Sequence, residues 1–211
     1  MKNLLIIGAR GYGREIYGLA HNSIGHGTEF VIKGFLDDKK DALDGYKGYA
    51  PIVGDVENYQ IQENDMFVCA LGDVKYKKKY VALVQAKGGH FINLIHNTAS
   101  IGRNTVLGEG CILSRYVNIS CDVVIGDFVT FQAFVCIGHD AHIGNFCHLN
   151  TYAFMGGFSK LGNMVTLHTG AILHPKIEAE DNSTIGAASV AIRKVKKGAT
   201  VYGNPAVVLK F

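Results

Sequence analysis

Apolar residues recur at every sixth position along the second half of the chain, from Ile95 to Lys196. Written in sixes, this stretch gives seventeen consecutive hexads without an insertion, and all but two of them begin with Ile, Leu, Met or Phe. A helix repeats every 3.6 residues and a half-buried strand every two, so neither explains a period of six. A fixed period of six predicts a solenoid, and hexapeptide repeats are typical of a parallel β-helix.

The position within the hexad predicts which residues form the core. The first position is large and apolar, and we expect it to point into the solenoid. The fifth position is always Ala, Thr, Cys, Val, Ser or Ile, as expected for a second residue that faces a narrow core. Gly recurs at the second position, where its backbone freedom suits a corner of the coil.

The first 92 residues follow a different pattern, in which short apolar runs alternate with helical stretches. This alternation predicts a small parallel sheet in a Rossmann-like α/β domain over 1–92, followed over 93–211 by the β-helix and a C-terminal tail. The predicted strands are Asn3–Ile7, Val31–Leu36, Met66–Leu71 and Phe91–Ile95, and the predicted helices run from Arg14 to about Asn22 and from Val74 to Lys87.

Gly and Asp residues cluster where three of these predicted strands end. Ligands of parallel sheets bind at the carboxyl ends of the strands. The glycines follow the order G-x-x-G-x-G, which differs from the dinucleotide order, but a tight glycine turn still exposes N–H groups that attract phosphate at a helix N-terminus. So short a domain favours a site for a single nucleotide over a site for NAD. One lysine of a run at the start of the second helix is a candidate ligand of the diphosphate. The candidate residues are Gly8, Gly11, Gly13, Asp37, Asp38 and Gly72, and the lysines are Lys75, Lys77, Lys78 and Lys79.

Composition narrows the classes of function. The net charge is only +3 over 211 residues, which makes nucleic-acid binding a weak hypothesis. No apolar run reaches the roughly 18 residues of a membrane span, and the start of the chain is typical of a first strand rather than a signal peptide. Cys111 and Cys147 fall at inward fifth positions, so we expect reduced core thiols in a cytoplasmic protein.

One histidine of the β-helix stands out by its neighbours. His139 is followed by Asp140, which is suited to orient an imidazole, and an imidazole is mostly neutral near pH 7 and able to accept a proton. His168 and His174 have no such neighbour and are predicted to be surface residues.

Several short motifs in this order resemble one bacterial family. They are GARGYG at residues 8–13, FLDD at 35–38, ALGD at 70–73, NLIH at 93–96, GHD at 138–140, Cys147-His148 and YGNPA at 202–206. Together they resemble the bacterial nucleotide-sugar acetyltransferases of the sialic-acid O-acetyltransferase type, within the hexapeptide-repeat acyltransferases. The resemblance covers the whole chain and implies a left-handed β-helix whose triangular coils contain three hexads, or eighteen residues.

The resemblance also implies a site. It implies a homotrimer that binds acetyl-CoA in the groove between subunits, with no metal, and a nucleotide sugar as the second substrate. His139 corresponds to the general base of the family, and Asp140 replaces a neighbour that is commonly Glu. With eighteen residues per coil, Gly157 stacks on His139, where its N–H is suited to stabilise an oxyanion. The matching acetyl-CoA contacts are His148, Gly157, Gly186 and Ala187, and the last is often Gly in the family.

Alternative functions remain open at this stage. A close variant is O-acetylation of sialic acid or a related sugar. A zinc enzyme resembling the β-helical carbonic anhydrases would need three histidines on one metal, whereas no two histidines between residues 139 and 174 lie eighteen apart. A non-catalytic scaffold would leave the GHD motif and the first domain without a role.

Overall fold

A computed structural model describes residues 1–209 of the chain and contains two compact units. The first unit is Met1–Asn97 and the second begins at Thr98. The sequence analysis places the boundary between residues 92 and 93. The structural boundary is later because Ile24 and Asn97 donate backbone hydrogen bonds to Ile95 and Asn22, which joins this segment to the first unit.

The first unit is a four-stranded parallel sheet with two helices. The order of strands is β3-β2-β1-β4. Its elements are β1 (Lys2–Ile7), α1 (Gly11–Ala20), β2 (Phe30–Leu36), β3 (Ile52–Gly54), β4 (Asp65–Cys69), α2 (Val74–Ala86) and a short strand β5 (Leu94–Ile95).

Burial explains why β1 lies inside the sheet. Leu4, Leu5 and Ile6 are fully buried, as expected for a parallel strand covered on both faces. Several elements differ from the sequence prediction, and the predicted strand Phe91–Ile95 is reduced to β5 at Leu94–Ile95. Helix α1 begins at Gly11 rather than Arg14, because the glycine turn itself forms the first turn of the helix. Strand β3 was not predicted, because its three half-exposed residues leave no apolar pattern to detect.

The second unit is the predicted parallel β-helix. From β6 to β21, strands of two residues recur every six residues, and the longer β22 and β23 follow them. Together these strands form three sheets, in the orders β21-β18-β15-β12-β9-β6, β19-β16-β13-β10-β7 and, from the C-terminal end, β23-β22-β20-β17-β14-β11-β8. The strands are β6 (Ser100–Ile101), β7 (Val106–Leu107), β8 (Ile112–Leu113), β9 (Asn118–Ile119), β10 (Val124–Ile125), β11 (Thr130–Phe131), β12 (Cys136–Ile137), β13 (His142–Ile143), β14 (His148–Leu149), β15 (Phe154–Met155), β16 (Lys160–Leu161), β17 (Thr166–Leu167), β18 (Ile172–Leu173), β19 (Glu178–Ala179), β20 (Thr184–Ile185), β21 (Val190–Ala191), β22 (Thr200–Gly203) and β23 (Ala206–Val208).

The register confirms eighteen residues per coil. Val124 pairs with His142, and His142 with Lys160. First-position residues such as Phe131 and fifth-position residues such as Cys147 are fully buried. Ile101 is 40% exposed, because β6 is the edge strand of its sheet. No long loop interrupts the coil between residues 95 and 196, which confirms the hexad register.

An antiparallel hairpin follows the last coil. Strands β22 and β23 pair with Gly203 opposite Ala206, so the YGNPA motif forms the turn. The ring of Tyr202 packs against Gly186, where a Cβ would lie 2.1 Å from the ring. Neither helix of the described chain has the length and apolar character needed to cross a bilayer.

Candidate active site

A cavity of about 480 Å³ opens at the carboxyl ends of β1, β2 and β4 in the first unit. This is the edge where ligands of parallel sheets bind. Of the six residues predicted for the nucleotide, all except Gly11 line it. The lining residues are Ile7, Gly8, Arg10, Tyr12, Gly13, Leu36, Asp37, Asp38, Val56, Ala70, Leu71, Gly72, Asp73, Tyr76 and Tyr80.

Close packing explains two of the glycines. Gly8 has a φ of +96°, and a Cβ at Gly13 would lie 1.9 Å from the Gly8 carbonyl oxygen. These glycines therefore let the chain turn directly from β1 into α1. The N-cap of α1 is Arg10, whose side chain makes no capping hydrogen bond, and the first helical turn contains no acidic residue. The start of α1 is consequently open to an anion.

Asp37 is engaged by the backbone on both of its carboxylate oxygens. Oδ2 accepts a hydrogen bond of 2.8 Å from the N–H of Ala9 in the glycine turn. Oδ1 accepts one of 2.9 Å from the N–H of Lys39. Asp37 therefore ties the end of β2 to the glycine turn, a role that its sequence position did not reveal.

Asp38, the next residue, is bound by a side chain from α2. The hydroxyl of Tyr80 donates to Asp38 Oδ2 at 2.5 Å. This hydrogen bond, together with burial, raises the pKa of Tyr80 to about 12, so the phenol remains a donor at neutral pH. Sequence reasoning missed Tyr80, because nothing in the helical pattern indicates a partner 42 residues away.

The cavity lining contains more acidic than basic side chains. Its lining contains three aspartates, Asp37, Asp38 and Asp73, against a single basic side chain, Arg10. None of the four lysines considered from the sequence belongs to the lining. Lys77 is buried, and Lys79 forms an ion pair of 3.2 Å with Glu57. Positive potential for a phosphate therefore comes from Arg10 and the start of α1.

His139 and Asp140 form a pair at one corner of the β-helix. His139 Nδ1 lies 2.7 Å from Asp140 Oδ2, so the shorter aspartate does reach the ring. The two side chains are 53% and 42% exposed, which leaves them accessible to a ligand. Asp140 has a φ of +57°, the left-handed corner conformation that recurs along the coil, and the edge of Phe158 packs against the His139 ring at 5.1 Å.

Gly157 leaves space for the imidazole of His139. A Cβ at this position would lie 2.8 Å from His139 Nε2. The N–H of Gly157 makes no hydrogen bond within the part of the chain that the structure describes, whereas its carbonyl accepts from Lys176. The histidine and this free N–H donor therefore lie together, as the eighteen-residue stacking predicted.

The third position of the hexad at another corner of the coil shows why the His139 corner is unusual. There the third hexad residues are Glu109, Asp127, Asn145, Asn163 and Asp181. The N–H of each of the first four donates to the side-chain oxygen one coil further on, for example Asp127 to Asn145 at 2.8 Å and Asn145 to Asn163 at 2.9 Å. At the His139 corner this ladder is replaced by the series Arg103, Cys121, His139, Gly157 and Pro175. That change was a sequence signal for the site.

The two backbone positions predicted near the end of the β-helix differ from each other. The N–H of Gly186 donates to Val201 at 2.9 Å, and its carbonyl accepts from Ser189. The N–H of Ala187, by contrast, has no acceptor within residues 1–209. Of this pair, Ala187 is the residue with a free backbone donor.

His148 lies in a different sheet from the strands that flank His139. It begins β14, whereas His139 lies between β12 and β13. Its side chain is buried, at 5% exposure, and its Nε2 lies 3.3 Å from Gln132 Nε2. The fold of one chain thus leaves only a small part of His148 accessible.

A metal centre has no ligand set here. Within residues 1–209, no three His, Cys, Asp or Glu side chains are grouped so as to hold a metal ion. The three-histidine site required by the zinc hypothesis is therefore not formed by the described residues.

Comparisons with known proteins bear on both units. The PglD N-terminal domain family matches residues 3–84. The UDP-N-acetylbacillosamine N-acetyltransferase of Bacillus subtilis (strain 168) is 28% identical over 115 residues, which are 54% of this chain and 51% of that protein. The chain therefore spans about half the length of the curated relative that it matches.

Two solved structures match essentially the whole chain. The acetyltransferase domain of PglB from Neisseria gonorrhoeae FA1090 is 26% identical, with a TM-score of 0.89 over 99% of this chain and 100% of that one. The same domain is known in complex with acetyl coenzyme A. PerB from Caulobacter crescentus is 23% identical, with a TM-score of 0.88 over 100% of this chain and 98% of that one, and supports the fold alone.

The fold defines a two-unit protein of the hexapeptide-repeat class, with an α/β unit that contains a cavity before its β-helix. Its first unit matches the PglD N-terminal domain family over residues 3–84, and over its full length the chain is similar to the acetyltransferase domain of PglB. The resemblance found in the sequence motifs is thereby confirmed.

Proposed function

We propose that this chain transfers an acetyl group from acetyl-CoA to an amino group of a nucleotide-linked sugar. The observation that best supports the proposal is the exposed His139–Asp140 pair, stacked on a glycine whose N–H is free. The chain is similar to a sugar N-acetyltransferase and to an acetyltransferase domain that binds acetyl-CoA, which supports the same reaction.

The geometry assigns a role to each atom of the pair. Asp140 occupies Nδ1 of the imidazole, so the neutral ring keeps its proton on that nitrogen and leaves Nε2 as the acceptor. As the sugar amine attacks the thioester carbon, a C–N bond forms, the C–S bond breaks, and Nε2 takes a proton from the amine. The N–H of Gly157 donates to the oxygen on which negative charge develops.

The first unit binds the nucleotide half of the sugar substrate in this proposal. The open start of α1 and Arg10 take the diphosphate, because they provide the positive potential of the cavity. Asp37 and Asp38 also line the cavity, where Asp38 accepts hydrogen bonds from the ligand and Asp37 holds the glycine turn in this proposal. Gly8, Gly13 and Gly72 shape the wall, and Gly11, which lies outside the lining, serves the turn.

The acetyl-CoA site is proposed to form between subunits of a homotrimer in the cytoplasm. His139 of one subunit and His148 of the next would face one groove, with the free N–H groups of Gly157 and Ala187 as backbone donors. Gly186 contributes by admitting the ring of Tyr202 rather than by a free N–H. Since His148 is 5% exposed in one chain, we expect it to touch the acetyl end only at its accessible edge.

A substrate panel tests the reaction. The protein is incubated with acetyl-CoA and UDP- or GDP-linked 4-amino-sugars, or sialic acid, and the release of CoA is followed. We expect turnover with an amino-sugar nucleotide, loss of turnover in His139→Ala, and near wild-type turnover in His142→Ala, which removes another exposed imidazole three residues away. Turnover with sialic acid alone would indicate O-acetylation, and acetyl-CoA binding without any turnover would contradict the proposed acceptors.

A further inference from the structure

Two neighbouring aspartates at the end of β2 have different partners, although the sequence does not distinguish them. Asp37 uses one carboxylate oxygen for Ala9 and the other for Lys39, both backbone donors. Asp38 uses only Oδ2, for the Tyr80 hydroxyl, and its Oδ1 has no hydrogen bond within residues 1–209. The two residues also differ in exposure, since Asp37 is half-buried and Asp38 is exposed.

Tyr80 restricts the freedom of Asp38. An exposed aspartate ordinarily samples several rotamers, and fixing one for a ligand costs conformational entropy. The Tyr80 hydroxyl holds the carboxylate through a charge-assisted hydrogen bond, which is stronger than one between neutral groups. Both side chains line the cavity, so the carboxylate is fixed at the cavity wall before a ligand enters.

We propose that Tyr80 is a positioning residue for nucleotide recognition, holding Asp38 so that its Oδ1 accepts a hydrogen bond from an N–H of the base or an O–H of the ribose. Asp37 makes no such contact and acts only through the glycine turn. The inference rests on the proposed nucleotide site and assigns different roles in it to the two aspartates. It predicts that one of them governs nucleoside selectivity and the other governs affinity in general.

The different effects expected of the two aspartates follow from which hydrogen-bonding groups are left unpaired. A carboxylate accepts hydrogen bonds and donates none. A ligand that lacks the matching donor leaves Oδ1 of Asp38 desolvated without a hydrogen bond, and sites built on such bonds discriminate strongly against that ligand. Loss of Asp37, by contrast, frees the N–H of Ala9 and loosens the turn at the start of α1, where the diphosphate binds. That loss affects every nucleotide equally.

Calorimetric titration of the full-length protein tests the proposal, with UDP, CDP and 2′-deoxy-UDP as probes. CDP lacks the imide N–H of uracil, and 2′-deoxy-UDP lacks one ribose hydroxyl, so the two probes separate the two possible donors. We expect wild type to bind one of them about 10- to 100-fold more weakly than UDP, the range for a hydrogen bond to a charged group. Tyr80→Phe and Asp38→Asn should both reduce this ratio several-fold, and Asp37→Asn should weaken all three nucleotides while preserving it.

Tyr46→Phe is the matched control, because it removes a hydroxyl in the same unit from a ring that packs on Arg14 outside the cavity lining. Melting temperatures exclude misfolding, and Tyr80→Phe should stay within a few degrees of wild type. The inference would be overturned if the ratio of affinities for UDP and the weaker probe were unchanged in Tyr80→Phe. It would also be overturned if Asp37→Asn removed this ratio and Asp38→Asn preserved it. In both cases the proposed nucleotide site itself would stand. Absence of binding of UDP, CDP and GDP to wild type at millimolar concentration would instead overturn the proposed nucleotide site, and this inference with it.

Discussion

His139 and Gly157 are matched by size, since a Cβ at position 157 would lie 2.8 Å from His139 Nε2. Real Cβ atoms do not approach another atom so closely, so a side chain at 157 would force the imidazole to move. The nitrogen that would move is the one left as proton acceptor by the Nδ1–Asp140 contact. The glycine therefore sets the position of the edge of the histidine that is proposed to react.

The first prediction follows from this contact. Gly157→Ala should lower kcat by at least tenfold, because displacement of a general base from its reach loses much of the 10²–10⁴-fold that such a base contributes. The free energy of unfolding should change little, since an exposed ring can swing away from the new methyl group. Steady-state kinetics and thermal melts provide the measurements.

Gly18→Ala is the control for that substitution. It adds the same methyl group at a helical glycine that has nothing within 4 Å of its Cβ position, and full activity is expected. A Gly157→Ala variant with wild-type kcat would show that His139 does not need its observed position.

The second prediction separates the two members of the pair. His139→Ala should lower kcat by about 10²–10⁴-fold with little change in KM, because the base acts mainly in the transition state. Asp140→Asn should cost less, because an uncharged neighbour still leaves an imidazole that can accept a proton.

Equal losses in His139→Ala and Asp140→Asn would contradict this assignment. They would mean that the pair acts as a unit or that Asp140 itself takes the proton.

The sequence predicted the repeating structure more completely than it predicted the hydrogen-bond partners of individual side chains. The hexad register, together with the eighteen-residue coil that the family resemblance implies, placed Gly157 beside His139. It also brought most of the glycines and both aspartates to one edge of the first unit. It did not predict that Asp37 binds Ala9 or that Asp38 binds Tyr80, because these contacts depend on tertiary distances and side-chain rotamers rather than on spacing. The burial of His148 was missed for the same reason.

The third prediction concerns stability and pH in the first unit. Asp65 Oδ1 lies 2.8 Å from Lys33 Nζ, and its Oδ2 accepts from the Tyr59 hydroxyl. Burial favours the neutral acid, but hydrogen bonds led by that from Lys33 outweigh it and hold the pKa of Asp65 below its ordinary value of 3.8. A group with a lowered folded pKa stabilises the protein above its unfolded pKa and loses this contribution as the pH falls through the folded value.

Asp65→Asn should therefore reduce the free energy of unfolding by about 1–3 kcal/mol at pH 7, the range for loss of a hydrogen bond to a charged group. The difference from wild type should shrink below pH 3.8 and nearly vanish once Asp65 is protonated in the folded protein. Urea titrations between pH 2 and pH 7 measure both effects. The control is Asp41→Asn, which removes an exposed carboxylate 3.7 Å from Lys39 and should have no measurable effect.

The fourth prediction concerns a site shared between subunits. Wild type should be a trimer by light scattering at micromolar concentration, and a fully active monomer would contradict the proposal. His139→Ala and His148→Ala chains carrying different tags are then co-expressed, and mixed trimers are purified through both tags. In a closed ring of three, each site takes His139 from one chain and His148 from the next. Every mixed ring then contains one junction where both histidines are wild type, so we expect about a third of the wild-type activity.

Neither homotrimer should be active alone, which gives the background for the mixed rings. Because His148 is buried against Gln132, His148→Gln is tested in parallel as a variant that keeps a polar side chain in the same space. Melting temperatures of each homotrimer exclude a folding defect as the cause of inactivity. If confirmed mixed trimers show no activity above the homotrimers, then either both histidines come from one chain or one of them is not in the site.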